Sequence, residues 1–118
     1  MLVLLGPAMV SAKAVFAHFM VGNTGSFTEA DWKTQITLAK AAGIDAFALN
    51  MARDENTTTT QLPSAFTAAK ALSFNVFFSF DYAGNGAWEK ATVVKLINDY
   101  VGSGAYFYRN AQPLVSTL

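Results

Sequence analysis

Cysteine is absent from the 118 residues, and histidine occurs once. The first absence excludes a disulfide scaffold, a thiol nucleophile and a thiolate metal site, and leaves the compartment open. A single imidazole is too few for a zinc site built on histidine, so no metal is assigned. Charge is scarce as well. Only 14% of residues are charged, and 8 basic side chains balance 8 acidic ones. A zero net charge argues against an electrostatic nucleic-acid partner, which needs a basic face. The longest apolar stretch at the start, MLVLLGPAMV over residues 1–10, is far short of the roughly 20 residues that span a bilayer, so no membrane partner is expected. What the chain has in quantity is apolar and aromatic surface: 53% hydrophobic residues, with 10 Phe, 4 Tyr and 2 Trp. That excludes a disordered chain and supplies the core of one domain.

The apolar start resembles the h-region of a signal peptide. Val10-Ser11-Ala12 would make a small-residue cleavage site before Lys13, although the charged n-region is missing. Residues 1–12 are read as a truncated signal-peptide remnant of a secreted chain, with a buried strand or helix as the alternative. Residues 13–118 are read as the folded part.

From there the pattern repeats. Apolar runs end at His18, Asn50, Asp81 and the Ser116-Thr117 pair, at intervals of 32, 31 and 36 residues counted to Thr117. One strand–helix unit of a (β/α)₈ barrel takes about 31 residues. The intervals carry helix signals. Ser26 with Glu29, or Thr28 with Asp31, has capping-box spacing, and Trp32, Ile36 and Ala39 follow at helical intervals up to Gly43, which suits a helix terminus. Pro63 suits the first turn of a second helix carrying Phe66, Ala69 and Leu72. Trp88–Val101 reads as a third, with Val93, Val94, Ile97 and Val101 as its apolar face. The Thr57–Thr60 run reads as a solvated loop. The resulting order is βαβαβαβ with a parallel sheet, the first half of a (β/α)₈ barrel.

Strand parity assigns the faces. Ala14, Phe16, His18, Ala46, Ala48, Asn50, Phe77, Ser79 and Asp81 share one side. Val15, Ala17, Phe19, Phe47, Leu49, Val76, Phe78 and Phe80 form the other, which is wholly apolar and suits packing against helices. Ligands of α/β folds bind at the carboxyl ends of the strands, so a cluster of His18, Asn50 and Asp81 is expected there. Each has a plainer alternative. His18 could be a hydrogen-bonded structural residue, Asn50 could close an Asx-turn, and Asp81 could cap the loop Tyr82-Ala83-Gly84-Asn85-Gly86. Asp81 is the one candidate here for acid or base chemistry. Gly22-Asn23-Thr24-Gly25 and Gly84-Asn85-Gly86 match no dinucleotide or phosphate loop, and no cofactor is assigned. Asn56-Thr57-Thr58 is a glycosylation sequon, with Asn56 as acceptor in a secreted chain.

Three stretches, AVFAHFMVGNTGSFTEADW (14–32), AAGIDAFALN (41–50) and FNVFFSFDYAGNGAW (74–88), resemble the N-terminal part of glycoside hydrolase family 71, the fungal α-1,3-glucanases or mutanases. The ending QPLVSTL (112–118) resembles the family's next strand. The resemblance implies a (β/α)₈ catalytic domain, usually secreted, that hydrolyses internal α-1,3-glucosidic bonds of fungal-wall glucan with inversion. It implies that His18, Asn50, Asp81 and Tyr82 are sugar-binding positions and that the acid and base lie beyond Leu118. An isolated 118-residue chain would then be inactive. It would also self-associate through an exposed inner face, with Phe16 and Phe77 poorly covered, and through the edge at Leu114–Thr117. Two alternatives remain: a self-contained, flavodoxin-like α/β ligand-binding module, and a catalytically dead carbohydrate-binding remnant.

Overall fold

The computed structural model describes residues 13–117; the leader read at residues 1–12 lies outside them. Strand β1 (Phe16–Met20) passes through a short 3-10 turn (Val21–Asn23) to helix α1 (Glu29–Ala41). Strand β2 (Ala46–Ala52), helix α2 (Asn56–Ala71), strand β3 (Asn75–Asp81) and helix α3 (Lys90–Tyr100) follow. Two short antiparallel strands, β4 (Tyr108–Arg109) and β5 (Gln112–Pro113), precede β6 (Val115–Thr117).

The main sheet runs β1-β2-β3-β6 with every pair parallel. Strands therefore neighbour one another in chain order. A flavodoxin-like sheet would show a reversal of strand order; this one has none, and the arrangement is that of a partial (β/α)₈ barrel.

The register confirms the parity reading. Phe47, Leu49, Val76, Phe78 and Phe80 are buried on one face. There Phe19 meets Trp32 of α1 at 5.1 Å between ring centroids, Phe78 meets Phe66 of α2 at 5.8 Å, and Phe80 meets Trp88 at 5.0 Å. Burying each such ring is worth about 1.5–3 kcal/mol. The two helices are joined by a buried polar link: Trp32 Nε1–H donates to Gln61 Oε1 (2.7 Å), and Gln61 Nε2–H donates to the Phe27 carbonyl (3.2 Å).

Helix α1 starts at the second of the two candidate caps. Thr28 Oγ1 accepts from Asp31 N–H, and Asp31 Oδ2 accepts from Thr28 N–H, closing a capping box. Gly43 follows the end of the helix with φ +82°, a left-handed conformation that is cheap only for glycine.

Five local readings need correction. The Thr57–Thr60 run is helical, and Pro63 lies inside α2 rather than in its first turn. Proline there removes one backbone hydrogen bond at a cost of about 3 kcal/mol, but its ring faces solvent while Leu62, Ala65, Phe66, Ala68 and Ala69 are buried around it. Tertiary packing overrides local propensity. Helix α3 begins at Lys90, and Val94 is 45% exposed; its inward face is Val93, Leu96, Ile97 and Tyr100, with Val101 just beyond. At about 100° per residue, Val94 lies a quarter-turn round the helix from Val93, at the edge of the buried stripe. The hairpin β4–β5 interrupts the simple alternation. Its turn residues Asn110 and Ala111 both have positive φ (53° and 63°), as the two-residue hairpin turn requires, and Asn-Ala is a weak signal for it. Finally, Phe77 is buried, because Phe16 and Phe107 pack on it at 4.9 and 6.1 Å; Phe16 stays 39% exposed, as expected.

Tyr106 ties the last strand to the sheet. Its buried hydroxyl accepts from Phe78 N–H (3.1 Å) and donates to the Leu114 carbonyl (2.7 Å). Burial above all pushes the phenol from the ordinary 10.0 up to about 12. The unfolded chain therefore loses this proton first, so the phenol's stabilising contribution is full below pH 10 and is lost as pH rises towards 12. Tyr106→Phe strands two backbone groups and should lower the unfolding free energy by about 1–3 kcal/mol in urea titrations. It should also flatten the alkaline loss of stability. An unchanged midpoint would show that the bridge carries no stability.

Candidate functional site

Parallel strands bring all their carboxyl ends, and the loops that follow them, to one end of the sheet. The inner face is read in rows from the register. His18 lies beside Ala48 and Phe77, Asn50 lies between Met20 and Ser79, Ser79 pairs with Ser116, and Asp81 lies beside Ala52. His18, Asn50 and Asp81 therefore share one face of three adjacent strands in the order one, two, three. They are not a tight cluster. Each steps two residues further along its strand than the last, so the three form a diagonal row about 16 Å long at strand spacing and rise. The step arises because β1 extends to Met20, which puts His18 at mid-strand. In the fourth strand, Ser116 shares this face; Thr117 pairs with Phe80 and belongs to the other.

The three side chains differ in environment. His18 is exposed. Asn50 is 4% exposed, and its Nδ2 has no hydrogen-bond partner among the described residues. A buried donor left unpaired costs about 1–3 kcal/mol. Asp81 is half-buried. Its Oδ1 accepts from Ala83 N–H (2.8 Å) and Gly84 N–H (3.1 Å), so it caps its own loop. That is the plainer role weighed for it, and it uses one oxygen only. Tyr82 is 38% exposed at the loop base. Asn56 is not on this face; it is the exposed first residue of α2.

The loops at this end are stapled together. Trp88 Nε1–H lies 3.2 Å from the Met51 carbonyl and 3.1 Å from the Asp81 carbonyl, bridging the ends of β2 and β3. Arg53 donates to the Ala87 carbonyl (2.9 Å), and Asn85 Nδ2–H donates to the Arg53 carbonyl (2.7 Å). Glu55 Oε1 accepts from Ala52 N–H (3.3 Å), and its carboxylate lies so close to Gly22 that a Cβ there would come within 2.6 Å of it. Glycine at position 22 lets the first and second loops approach. Among the described residues, no three of His, Cys, Asp and Glu gather into a metal-binding group, and no helix is long and apolar enough to cross a membrane.

The sequence profile of Glycosyl hydrolase family 71 matches residues 11–118. The chain belongs to this family. A mutanase of Penicillium rubens is 44% identical over 107 residues, covering 89% of this chain and 24% of that protein. A glucan endo-1,3-alpha-glucosidase of Schizosaccharomyces pombe is 43% identical over 86 residues, covering 68% of this chain and 20% of that protein. The family 71 chain thus spans about a quarter or less of the relatives' length. Among solved structures, the GH99 endo-alpha-mannosidase of Bacteroides thetaiotaomicron superposes with a TM-score of 0.62 at 14% identity, covering 76% of this chain and 28% of that one. At that identity the likeness concerns the fold alone.

Sequence reasoning placed the family 71 strand ends but missed what holds them. Trp88 stood outside the site in that reading, as the start of α3. The available signal was a tryptophan seven residues after Asp81 across a glycine-rich loop, since a buried indole N–H needs an acceptor. Trp88→Phe keeps most of the packing and removes the bridge. It should cost about 1–3 kcal/mol in urea unfolding and should speed proteolytic cleavage within residues 82–87. Unchanged cleavage would mean that the other loop contacts suffice.

Proposed function

We propose that this chain forms the first strands of a secreted catalytic domain that hydrolyses internal α-1,3-glucosidic bonds of glucan with inversion. In this reading His18, Asn50, Asp81 and Tyr82 contact the polysaccharide. The observation that carries it is the buried, unpartnered Nδ2 of Asn50 on the inner face. A sugar hydroxyl or ring oxygen is a fitting acceptor. The diagonal row suits an extended chain, because about 16 Å exceeds one sugar ring. The printed names of the Penicillium and fission-yeast relatives supply the bond type.

Inversion needs two carboxyl groups about 6.5–9.5 Å apart with water between them. Asp81 is a poor half of such a pair, because its Oδ1 is committed to two loop amides. Asp81 is therefore assigned to binding rather than to the acid–base pair. Asp81 and Tyr82 then serve binding, with Asp81 Oδ2 facing no hydrogen-bond donor among the described residues.

In the full-length protein, Asn50→Leu removes the orphaned donor without opening a cavity. It should leave stability equal or raised and lower kcat/KM on α-1,3-glucan by about 2- to 12-fold, the worth of one hydrogen bond. Equal turnover with equal stability would remove Asn50 from the site.

The 118-residue chain alone should release no reducing sugar from insoluble α-1,3-glucan. It should also self-associate, because Phe16 and Met20 on β1, and Val15 just before it, are exposed at the sheet edge. Size-exclusion chromatography giving a stable monomer at micromolar concentration would contradict the second expectation, and glucan hydrolysis would contradict the first.

A further inference from the structure

The second orphaned group lies on helix α2, off the inner face of the sheet. Thr58 is 6% exposed in the first turns of α2, and its Oγ1 has no hydrogen-bond partner. Three other helical threonines back-bond to a carbonyl one turn earlier: Thr34 to Ala30, Thr37 to Lys33, and Thr60 to Asn56 and Thr57. Thr58 makes no such bond, although its own N–H donates to the Glu55 carbonyl three residues earlier. Its carbonyl four residues back belongs to Asp54, which lies outside the helix at φ +62°. Valine has the same shape, and no buried hydroxyl. Among the described residues, no hydrogen bond uses the hydroxyl at this position.

The sequence gives a reason for the hydroxyl. Asn56-Thr57-Thr58 is the only Asn-X-Ser/Thr triplet in the chain, and its third residue must carry a hydroxyl for the acceptor asparagine to be used. Asn56 is exposed. It opens onto a cleft of about 570 Å³ between α2 and α3, lined also by Thr59, Thr92, Lys95, Asp99 and Tyr100. That leaves room beside the side chain for a bulky polar group.

We infer that Asn56 carries an N-linked oligosaccharide and that the Thr58 hydroxyl is retained for its attachment rather than for the fold. Attachment precedes the burial of Thr58 and acts on the unfolded chain. Asn56 Nδ2 forms a bond to the anomeric carbon of the first sugar of a lipid-linked oligosaccharide pyrophosphate. The bond from that carbon to the pyrophosphate breaks, the pyrophosphate leaves with the electron pair, and the amide gives up one proton.

The inference rests on the secretory passage in the proposed function, and the test separates the two by supplying a secretion leader. The full chain, secreted from yeast behind that leader, should carry the mass of one core glycan, released by a peptide N-glycosidase. Asn56→Gln and Thr58→Val should each abolish the shift, and Thr58→Ser should keep it. Made in bacteria without glycan, Thr58→Val should unfold at an equal or higher urea midpoint than wild type. A secreted wild-type chain without the shift would overturn the inference, as would a shift that survives Asn56→Gln. A lowered midpoint for bacterial Thr58→Val would show that the hydroxyl serves the fold after all.

Discussion

The aromatic seam between the sheet's outer face and its helices is the constraint on which the site depends. Phe19 against Trp32, Phe66 against Phe78 and Phe80 against Trp88 lock the outward set of side chains in place. Side chains alternate along a strand, so a one-residue slip would turn Phe47, Leu49 and Phe78 towards the inner face and His18, Asn50 and Asp81 into the helices. The polar row on the inner face is thus held by residues that never touch it.

The carboxyl end shows a division of labour. Trp88, Arg53, Asn85 and Glu55 spend their polar atoms on neighbouring backbone and fix the loops. Asp81 does so with one oxygen and leaves the other. On the inner face, Asn50 keeps a buried donor without a partner among the described residues. The loop groups are satisfied within the chain, whereas this strand-end amide is not. The far edge is secured differently. The short β6 is held through Tyr106, which reaches both β3 and the residue preceding β6.

Helix α2 shows tertiary context overriding local preference. Four consecutive threonines and an internal proline favour other conformations. The helix forms because one face buries Leu62, Ala65, Phe66, Ala68 and Ala69, and because Gln61 satisfies the Trp32 indole. The exposed face bears Pro63, where a missing hydrogen bond costs least. Thr58 is packed in this helix, but its hydroxyl has no hydrogen-bond partner among the described residues.

By itself the sequence determined the alternation of strands and helices, the face on which each strand residue lies, the two candidate caps of α1 and the glycine that ends it. These follow from periods of two and 3.6 residues and from capping chemistry, all local in the chain. The tertiary structure decided the rest. Which cap is used, the helical Thr run, the hairpin ahead of β6 and the bridge made by Trp88 depend on partners that local patterns do not name. Trp88 and Met51 are 37 residues apart, and Trp32 and Gln61 are 29 apart. The diagonal spacing of His18, Asn50 and Asp81 has the same origin. Parity sets the face of a side chain, but only the hydrogen-bonded register of one strand on the next sets its height.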